Sequence, residues 1–145
     1  MSVLFFWRGD NYVKDRRLSG KTYDLNQNSK RMLALRIGDR VWAFTRREDK
    51  KYVLAADLVV IRVVQNLPKN LGYEYGKYRV EGDKQKSRYF DIDKGKNAEL
   101  LIRSLSFSPH TSILGCSFQG QNGVRPLTSK DEQKLIAFSI RLPTI

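Results

Sequence analysis

A long apolar segment between residues 52 and 64 constrains the fold of this chain most strongly. It contains Leu58-Val59-Val60-Ile61, a continuous run that is mostly β-branched, and Asp57 is its one acidic residue. β-branched side chains fit extended backbone, and a continuous apolar run indicates a strand that is buried on both sides. The pattern therefore predicts one long strand that lies centrally in a sheet.

Shorter patterns on either side predict further strands and a few helices, with no regular strand-helix alternation. Such an arrangement is typical of an α+β domain built around a curved sheet or small barrel with flanking short helices. No internal repeat or linker divides the sequence, so we expect a single domain over residues 1–145. The predicted strands are 3–7, 40–45, 52–64, 77–81 and 87–92, and the predicted helices are 10–18 (starting at Asp10 or Asn11), 26–35, 98–105 and 128–138.

The last of these helices has the clearest start signal. Thr128 or Ser129 is placed to act as the N-cap, and Asp131 and Glu132 lie in the first turn, where carboxylates favour a helix. We expect Leu135, Ile136 and Phe138 to form its buried face.

The charge of the chain is strongly positive. It has 27 Lys and Arg against 15 Asp and Glu, a formal net charge of +12, and residues 1–51 hold 13 basic and 6 acidic residues. A basic excess of this size in a small domain is typical of nucleic-acid binders. A surface that is basic only for solubility is the alternative.

Several classes of protein are disfavoured by simple features. No apolar run approaches the roughly 20 residues of a membrane span, and the first residues lack the pattern of a signal peptide, so we expect a cytoplasmic protein without a membrane partner. One cysteine, Cys116, and one histidine, His110, are too few for a disulfide or a structural zinc site. We expect Cys116 to be a small packing residue.

Catalytic signatures are weak. Glu48-Asp49-Lys50 matches part of a nuclease motif but falls at a predicted hairpin tip, and Asp91 and Asp93 are flanked by lysines, as salt-bridged surface groups often are. No glycine-rich phosphate loop is present. We expect a binding module without catalytic residues, metal ion or cofactor.

Aromatic and amide residues cluster in three short segments of the basic half. Aromatic side chains supply flat faces for a nucleobase, amides and carboxylates hydrogen-bond its edge, and Lys and Arg hold phosphates. This mixture suggests a pocket that reads a base. The segments are Phe5-Phe6-Trp7-Arg8-Gly9-Asp10, Asp24-Leu25-Asn26-Gln27-Asn28-Ser29 and Gly38-Asp39-Arg40-Val41-Trp42-Ala43-Phe44.

The chain resembles the EVE branch of the PUA-like superfamily, and in particular EVE-like modules that precede HNH nuclease domains in bacterial proteins. The resemblance covers nearly the whole chain and implies a small β-barrel flanked by helices that reads a modified DNA base, in particular a modified cytosine, for restriction. No His-Asn-His signature is present, so cleavage would come from a separate domain or partner. The segments that carry the resemblance are Phe6-Trp7-Arg8-Gly9-Asp10-Asn11, Thr22-Tyr23-Asp24-Leu25-Asn26-Gln27, Gly38-Asp39-Arg40-Val41-Trp42-Ala43-Phe44-Thr45-Arg46, Tyr52-Val53-Leu54-Ala55-Ala56, Gly76-Lys77-Tyr78-Arg79-Val80 and Ser117-Phe118-Gln119-Gly120.

Under this hypothesis a base flips out of its stack into an aromatic pocket. Trp7 and Trp42 are the leading stacking residues; simple burial in the barrel is the alternative for both. Tyr23 and Phe44 are the other predicted stacking residues. The predicted readers of the base edge are Asp10, Asn26, Gln27 and, more weakly, Gln119. For Asp10 and Asn26, helix capping or turn formation is the alternative. The predicted phosphate contacts are Lys14, Arg16, Arg17, Lys30, Arg31, Arg46 and Arg47, with a solvated surface as the alternative.

Two other functions stay open from the sequence. Related PUA-like domains bind RNA, so an RNA-binding module is one alternative. The other is a metal-dependent nuclease, which would require Asp91 or Asp93.

Overall fold

The computed structural model describes residues 1–9, 12, 23–70, 73 and 76–145; for Tyr23, Gly120 and Gln121 only the backbone is described. The predicted helix between residues 10 and 18 therefore lies outside the described residues. The strands are β1 (Ser2–Phe6), β2 (Tyr23–Gln27), β3 (Arg40–Arg46), β4 (Tyr52–Gln65), β5 (Tyr78–Gly82), β6 (Arg88–Tyr89) and β7 (Val124–Leu127). The helices are α1 (Glu99–Arg103) and α2 (Ser129–Ser139), with short 3-10 helices at Lys30–Ala34, Ile92–Lys94, Leu114–Ser117 and Gly120–Gly123.

The long strand β4 organises the sheet, as its apolar run predicts. The strand order is β2-β5-β4-β3-β1-β7, and β6 also pairs with β4. The first half of β4 pairs with β3, from Tyr52 opposite Arg46 to Val59 opposite Arg40, and the second half pairs with β5. Its first nine residues are buried, so the prediction of a central strand is confirmed.

The mixed α+β class is also confirmed, but the predicted closure into a barrel is wrong. Among the described strands, β2 pairs with β5 and β7 pairs with β1, and these two edges are not joined by a backbone ladder. One side-chain hydrogen bond connects the region of the two edge strands: Nη1 of Arg31, in the 3-10 helix after β2, donates to the carbonyl oxygen of Val124 in β7 at 2.7 Å. A single side-chain contact does not replace backbone pairing, so the sheet stays open.

Each face of the sheet packs against its own core. The first core cluster includes Val3, Phe5 and Trp7 from β1 and its end, and Met32 of the 3-10 helix packs on it. The second core cluster includes Leu4 and Phe44, and helices α1 and α2 cover it. Alternate residues of a strand point to opposite faces, so β1 contributes to both clusters.

Helix α2 begins as its sequence predicts. The Thr128 side chain accepts from the backbone N–H of Asp131 at 3.1 Å, and Asp131 accepts in return from the backbone N–H of Thr128. Leu135 is buried and Phe138 is partly buried, but Ile136 is 41% exposed. The assignment of Ile136 to the buried face was therefore wrong.

The predicted helix 26–35 is replaced by two elements. Asn26 and Gln27 lie at the end of β2, where they pair with Arg79 and Tyr78 of β5, and a 3-10 helix follows, with Ser29 as its N-cap. This pairing joins segments about fifty residues apart, which no local pattern signals. The predicted strand 87–92 is likewise shorter in the structure. Only β6 (Arg88–Tyr89) is a strand there, and Ile92–Lys94 forms a 3-10 helix.

Strand β7 lies where sequence patterns gave no signal. It contains Pro126, and it tolerates a proline because it lies at the edge of the sheet.

Among the described residues, no helix combines the length and the apolar character needed to cross a membrane.

Candidate nucleic-acid interface

A cleft of about 690 Å³ opens at one end of the sheet. The strands β1, β2 and β3 end there, β4 begins there, and the segment 113–123 forms the opposite wall. Because these strands come from distant parts of the sequence, the cleft collects side chains that are far apart along the chain.

Aromatic rings form the floor of the cleft. Phe6 is the partly exposed one, and its ring centroid lies 6.0 Å from that of Tyr52 and 5.0 Å from that of Phe44 beneath it. Phe118, on the opposite wall, stacks edge-on against Phe44 at 4.9 Å. The Tyr52 hydroxyl accepts from the backbone N–H of Gly115 at 3.1 Å, which ties the floor to the wall.

The wall that carries Phe118 is braced from behind by Arg125. The guanidinium of Arg125 lies over Phe107 and Phe118, at 5.4 and 5.9 Å from their ring centroids, and donates to the carbonyl oxygen of Ser117. Burial lowers the pKa of Arg125, and the nearby charge of Arg31 lowers it further. This arginine supports the cleft from behind, as it is absent from the lining.

Three consecutive amides, Asn26, Gln27 and Asn28, line another side of the cleft, and their carbonyl oxygens are already engaged. Oε1 of Gln27 accepts from the backbone N–H of Asn28 at 2.5 Å, and Oδ1 of Asn28 accepts from the backbone N–H of Lys77 at 3.0 Å. Oδ1 of Asn26 accepts from Asn66 at 2.8 Å. Because a backbone N–H is always a donor, the orientation of the Gln27 and Asn28 amides is fixed.

Two arginines add positive charge to the cleft. Arg8 follows β1, and Arg46 ends β3 with its guanidinium 5.8 Å from the ring centroid of Tyr52. Both are exposed. A second cleft of about 690 Å³ adjoins the first at Gly9 and Arg46, and its lining includes Thr45 and Arg47.

The two tryptophans do not meet in this cleft. Trp7 belongs to the first core cluster, stacked edge-on against Tyr12 at 5.1 Å, whereas Trp42 and Phe44 belong to the second. All three are fully buried, with 0% exposure. The alternative of burial therefore describes them, and a shared stacking pocket of Trp7 and Trp42 is ruled out by the sheet that separates the two clusters.

Part of the predicted edge-reading and phosphate-binding set does come together. Asn26, Gln27, Gln119 and Arg46 all line the cleft. Asp10, Lys14, Arg16 and Arg17 lie outside the described residues, as does the side chain of Tyr23. Lys30 is exposed on the 3-10 helix, and Arg31 is engaged with Val124.

Arg47 is not available for a phosphate in this structure, contrary to the prediction. Its Nη1 donates to the carbonyl oxygens of Ile92, Asp93 and Gly95 at 2.8, 3.2 and 3.0 Å. Its Nε and Nη2 donate to the carboxylate of Asp49, and this hydrogen bond lowers the pKa of Asp49. The sequence alone does not distinguish Arg47 from Arg46, because the acceptors of Arg47 at Ile92, Asp93 and Gly95 lie about 45 residues away in the sequence.

Candidate groups for catalysis remain dispersed. Asp91 caps the 3-10 turn at Asp93 with a 3.1 Å hydrogen bond. The described residues contain no group of three or more His, Cys, Asp and Glu positioned to hold a metal ion. Cys116 is exposed on the lining of the cleft, so its prediction as a packing residue was wrong.

Several residues of the cleft were not among the predicted pocket residues. Phe6, Arg8 and Asn28 lie in the aromatic and amide clusters of the sequence and Phe118 lies next to Gln119, so their neighbours carried the only local signal. Gly123 enters the site through the fold alone.

Comparison of the chain with protein-family models, curated proteins and solved structures finds no significant match. The resemblance to EVE-like domains therefore stays a prediction, and the function is argued from the cleft itself.

Proposed function

We propose that this protein is a nucleic-acid-binding module that holds one unstacked nucleotide in the cleft between Phe6, Gln27 and Gln119. The observation that carries the proposal is the chemistry of this one cleft, which combines an aromatic floor, fixed amides and two exposed arginines. The formal charge of +12 supplies the attraction for a polyanion.

The floor supports stacking of a base. Removing a base from its stack costs a few kcal/mol, and an aromatic contact returns about 1 to 3 kcal/mol. Phe6 is the ring with exposed area in the cleft, whereas Tyr52 and Phe118 are nearly buried, at 4% and 6%. One exposed ring does not repay the full cost of opening a duplex, so we expect tighter binding to an unpaired or weakly paired base.

The arginines support the phosphate contacts. Arg8 and Arg46 lie on adjacent strand ends at the mouth of the cleft, where a guanidinium can hold a phosphate with two parallel hydrogen bonds. The module has no catalytic role in this proposal, and cleavage would be supplied by a separate domain or partner, such as an HNH nuclease.

The ligand class that the sequence resemblance implies is DNA with a modified cytosine, read for restriction. It enters the test as one member of a panel that also contains plain DNA and RNA of the same sequence. Tighter binding to RNA would support the alternative of an RNA-binding module that uses the same cleft.

The decisive experiment compares two arginines at opposite ends of β3. Arg46 lies at the cleft, and Arg36 lies in the exposed turn before β3 begins, so Arg46→Ala and Arg36→Ala remove the same charge. Fluorescence anisotropy with a single-stranded oligonucleotide at several salt concentrations gives the affinity and its salt slope. We expect Arg46→Ala to weaken binding and reduce the slope by about 1, and Arg36→Ala to leave both nearly unchanged.

Phe6→Leu provides the matching test of stacking, because it keeps an apolar side chain but removes the flat face. We expect a loss of about 1 to 3 kcal/mol of binding free energy. Equal affinities of the wild type, Arg46→Ala and Phe6→Leu for every member of the panel would disprove the proposal.

A further inference from the structure

Arg31 and Arg125 lie at the edge of the sheet, just outside the cleft. Strand β7 is an edge strand, and Nη1 of Arg31 donates to the carbonyl oxygen of Val124 at the start of this strand. Arg125 is the next residue. Val124 follows Gly123, which lines the cleft, whereas neither arginine does. The two guanidinium groups therefore sit beside the wall of the cleft.

Among the described residues, Arg31 and Arg125 have no carboxylate partner, although both side chains are half-buried. Charged groups that are partly removed from water are normally paired. The two unpaired charges therefore point to an anion that a ligand supplies. The other half-buried arginines of the described chain do have such partners: Arg40 and Arg88 contact Asp57, Arg47 contacts Asp49, Arg79 contacts Glu81, and Arg103 contacts Glu99.

The two charges also act on each other. Burial lowers the pKa of Arg125, and the charge of Arg31 lowers it further. In addition, Nε of Arg125 is buried without a hydrogen-bond partner. Two like charges in a partly desolvated site disfavour the charged form of each. An anion bound beside both guanidinium groups offsets this repulsion.

Both guanidinium groups keep donors for such an anion. Among the described residues, Arg31 uses Nη1 and Arg125 uses Nη2, each on a backbone carbonyl oxygen. The rings of Phe107 and Phe118 lie against the guanidinium of Arg125, which fixes its orientation. The N–H groups at the edge of a guanidinium form a planar fork that matches the oxygen atoms of a phosphate.

We infer that Arg31 and Arg125 together hold one phosphate of the nucleic-acid strand, next to the nucleotide in the cleft. This inference rests on the proposed function. A phosphate carries the negative charge that the pair lacks, and its oxygens can accept from both forks at once. Because the pair begins one residue beyond Gly123, the phosphate belongs to the neighbouring part of the strand. Such a contact fixes the register of the strand on the protein without reading its sequence.

The test places one nucleotide in the cleft and neutralises the phosphates around it one at a time. The probes are single-stranded oligonucleotides with one thymine and abasic nucleotides on both sides, so the base sets the register. In each probe an uncharged methylphosphonate replaces one phosphate, and fluorescence anisotropy gives the affinity. For the wild type we expect about a tenfold loss at the phosphate that the arginine pair holds.

Arg31→Ala and Arg125→Gln should each remove the sensitivity to that same phosphate. In both variants a methylphosphonate at this position no longer weakens binding, because the contact is already lost. Arg46→Ala should remove the sensitivity to a different phosphate, and Arg36→Ala, which takes the same charge from an exposed turn, should change none. Should one of the two variants fail to fold by circular dichroism, the other makes the same measurement.

The outcomes separate this inference from the proposed function. If Arg125 only braced the wall, Arg125→Gln would weaken all probes equally and would keep the wild-type sensitivity at every phosphate. That result, or loss of sensitivity at different phosphates in Arg31→Ala and Arg125→Gln, would overturn the inference and leave the cleft in place, provided that binding still depends on Arg46 and Phe6. Binding that ignores Arg46 and Phe6 would overturn the proposed function itself.

Discussion

Gly115 packs so closely against Phe6 that a Cβ atom built on the glycine would lie 2.8 Å from Cε2 of the ring. Real side chains essentially never approach this closely, so Gly115→Ala forces the Phe6 ring to move. We expect the variant to lose about 1 to 3 kcal/mol of unfolding free energy through overpacking and to bind oligonucleotides more weakly, because the displaced ring is the exposed part of the floor.

Gly9→Ala is the matched control for the loss of stability. Its added Cβ would meet the carbonyl oxygen of Arg46 at 3.4 Å, an ordinary contact. Urea unfolding of both variants and fluorescence anisotropy of Gly115→Ala check the prediction, and an unchanged stability and affinity of Gly115→Ala would contradict it.

We expect the loss of Arg47 to lower the unfolding free energy and the loss of the neighbouring Arg46 to lower the affinity for nucleic acid. Arg47 donates to three carbonyl oxygens and to the Asp49 carboxylate. Arg47→Ala removes all of these hydrogen bonds, each worth about 1 kcal/mol at part-buried or exposed acceptors, so we expect it to cost about 1 to 3 kcal/mol of unfolding free energy. Arg46→Ala should leave stability within about 0.5 kcal/mol, as exposed surface changes usually do. Thermal and urea unfolding of both variants measure this difference, which would be absent if Arg47 were only a surface charge.

The buried carboxylate of Asp57 is expected to make stability fall as the pH rises. Burial raises the pKa of Asp57 above its usual value, although Arg88 and Arg40 contact its Oδ2 atom at 2.9 and 3.3 Å. A raised pKa means that the folded state holds the proton more tightly than the unfolded chain. The contribution of Asp57 to the unfolding free energy is therefore fully present below about pH 4 and declines as the pH rises through the raised pKa.

Asp57→Asn removes this titration, so the unfolding free energy of the wild type relative to Asp57→Asn should decrease as the pH rises above about 4. Asp83→Asn is the control of opposite sign. Hydrogen bonds from the backbone N–H groups of Gln85 and Lys86 lower the pKa of Asp83, so its contribution is present above about pH 4 and is lost as the pH falls. Urea unfolding at a series of pH values measures the difference in unfolding free energy between the wild type and each variant. If this difference changed with pH in the same direction for Asp57→Asn and Asp83→Asn, the assignment would be contradicted.

Cys116 offers a test of the cleft that needs no substitution. It is the single cysteine of the chain and is exposed on the lining, so a thiol reagent labels one known position. We expect a saturating oligonucleotide to slow labelling severalfold, and sodium chloride at a concentration that releases the oligonucleotide to restore the rate. Mass spectrometry follows the reaction. Labelling at an unchanged rate in the bound protein would place the ligand elsewhere.

The sequence by itself determined the elements whose signals are local. The apolar run at Leu58–Ile61 specified the central strand because a continuous run of apolar, mostly β-branched residues suits a strand covered on both faces, and all of it but Ile61 is buried. Thr128 and Asp131 specified the start of α2 because both partners of the capping box lie within one helical turn. The basic charge and the segments around Phe6 and Gln27 also pointed to the class of ligand that we propose.

The tertiary structure alone decided which of those residues share a site. Strand pairing over long sequence separations turned Asn26 and Gln27 from a predicted helix start into the end of β2, and brought them to Gly123. The sheet placed Trp7 and Trp42 on opposite faces and left Phe6 exposed at its end. Burial depends on what packs against a side chain from elsewhere in the chain. The sequence therefore does not show which of several neighbouring aromatic residues stays exposed.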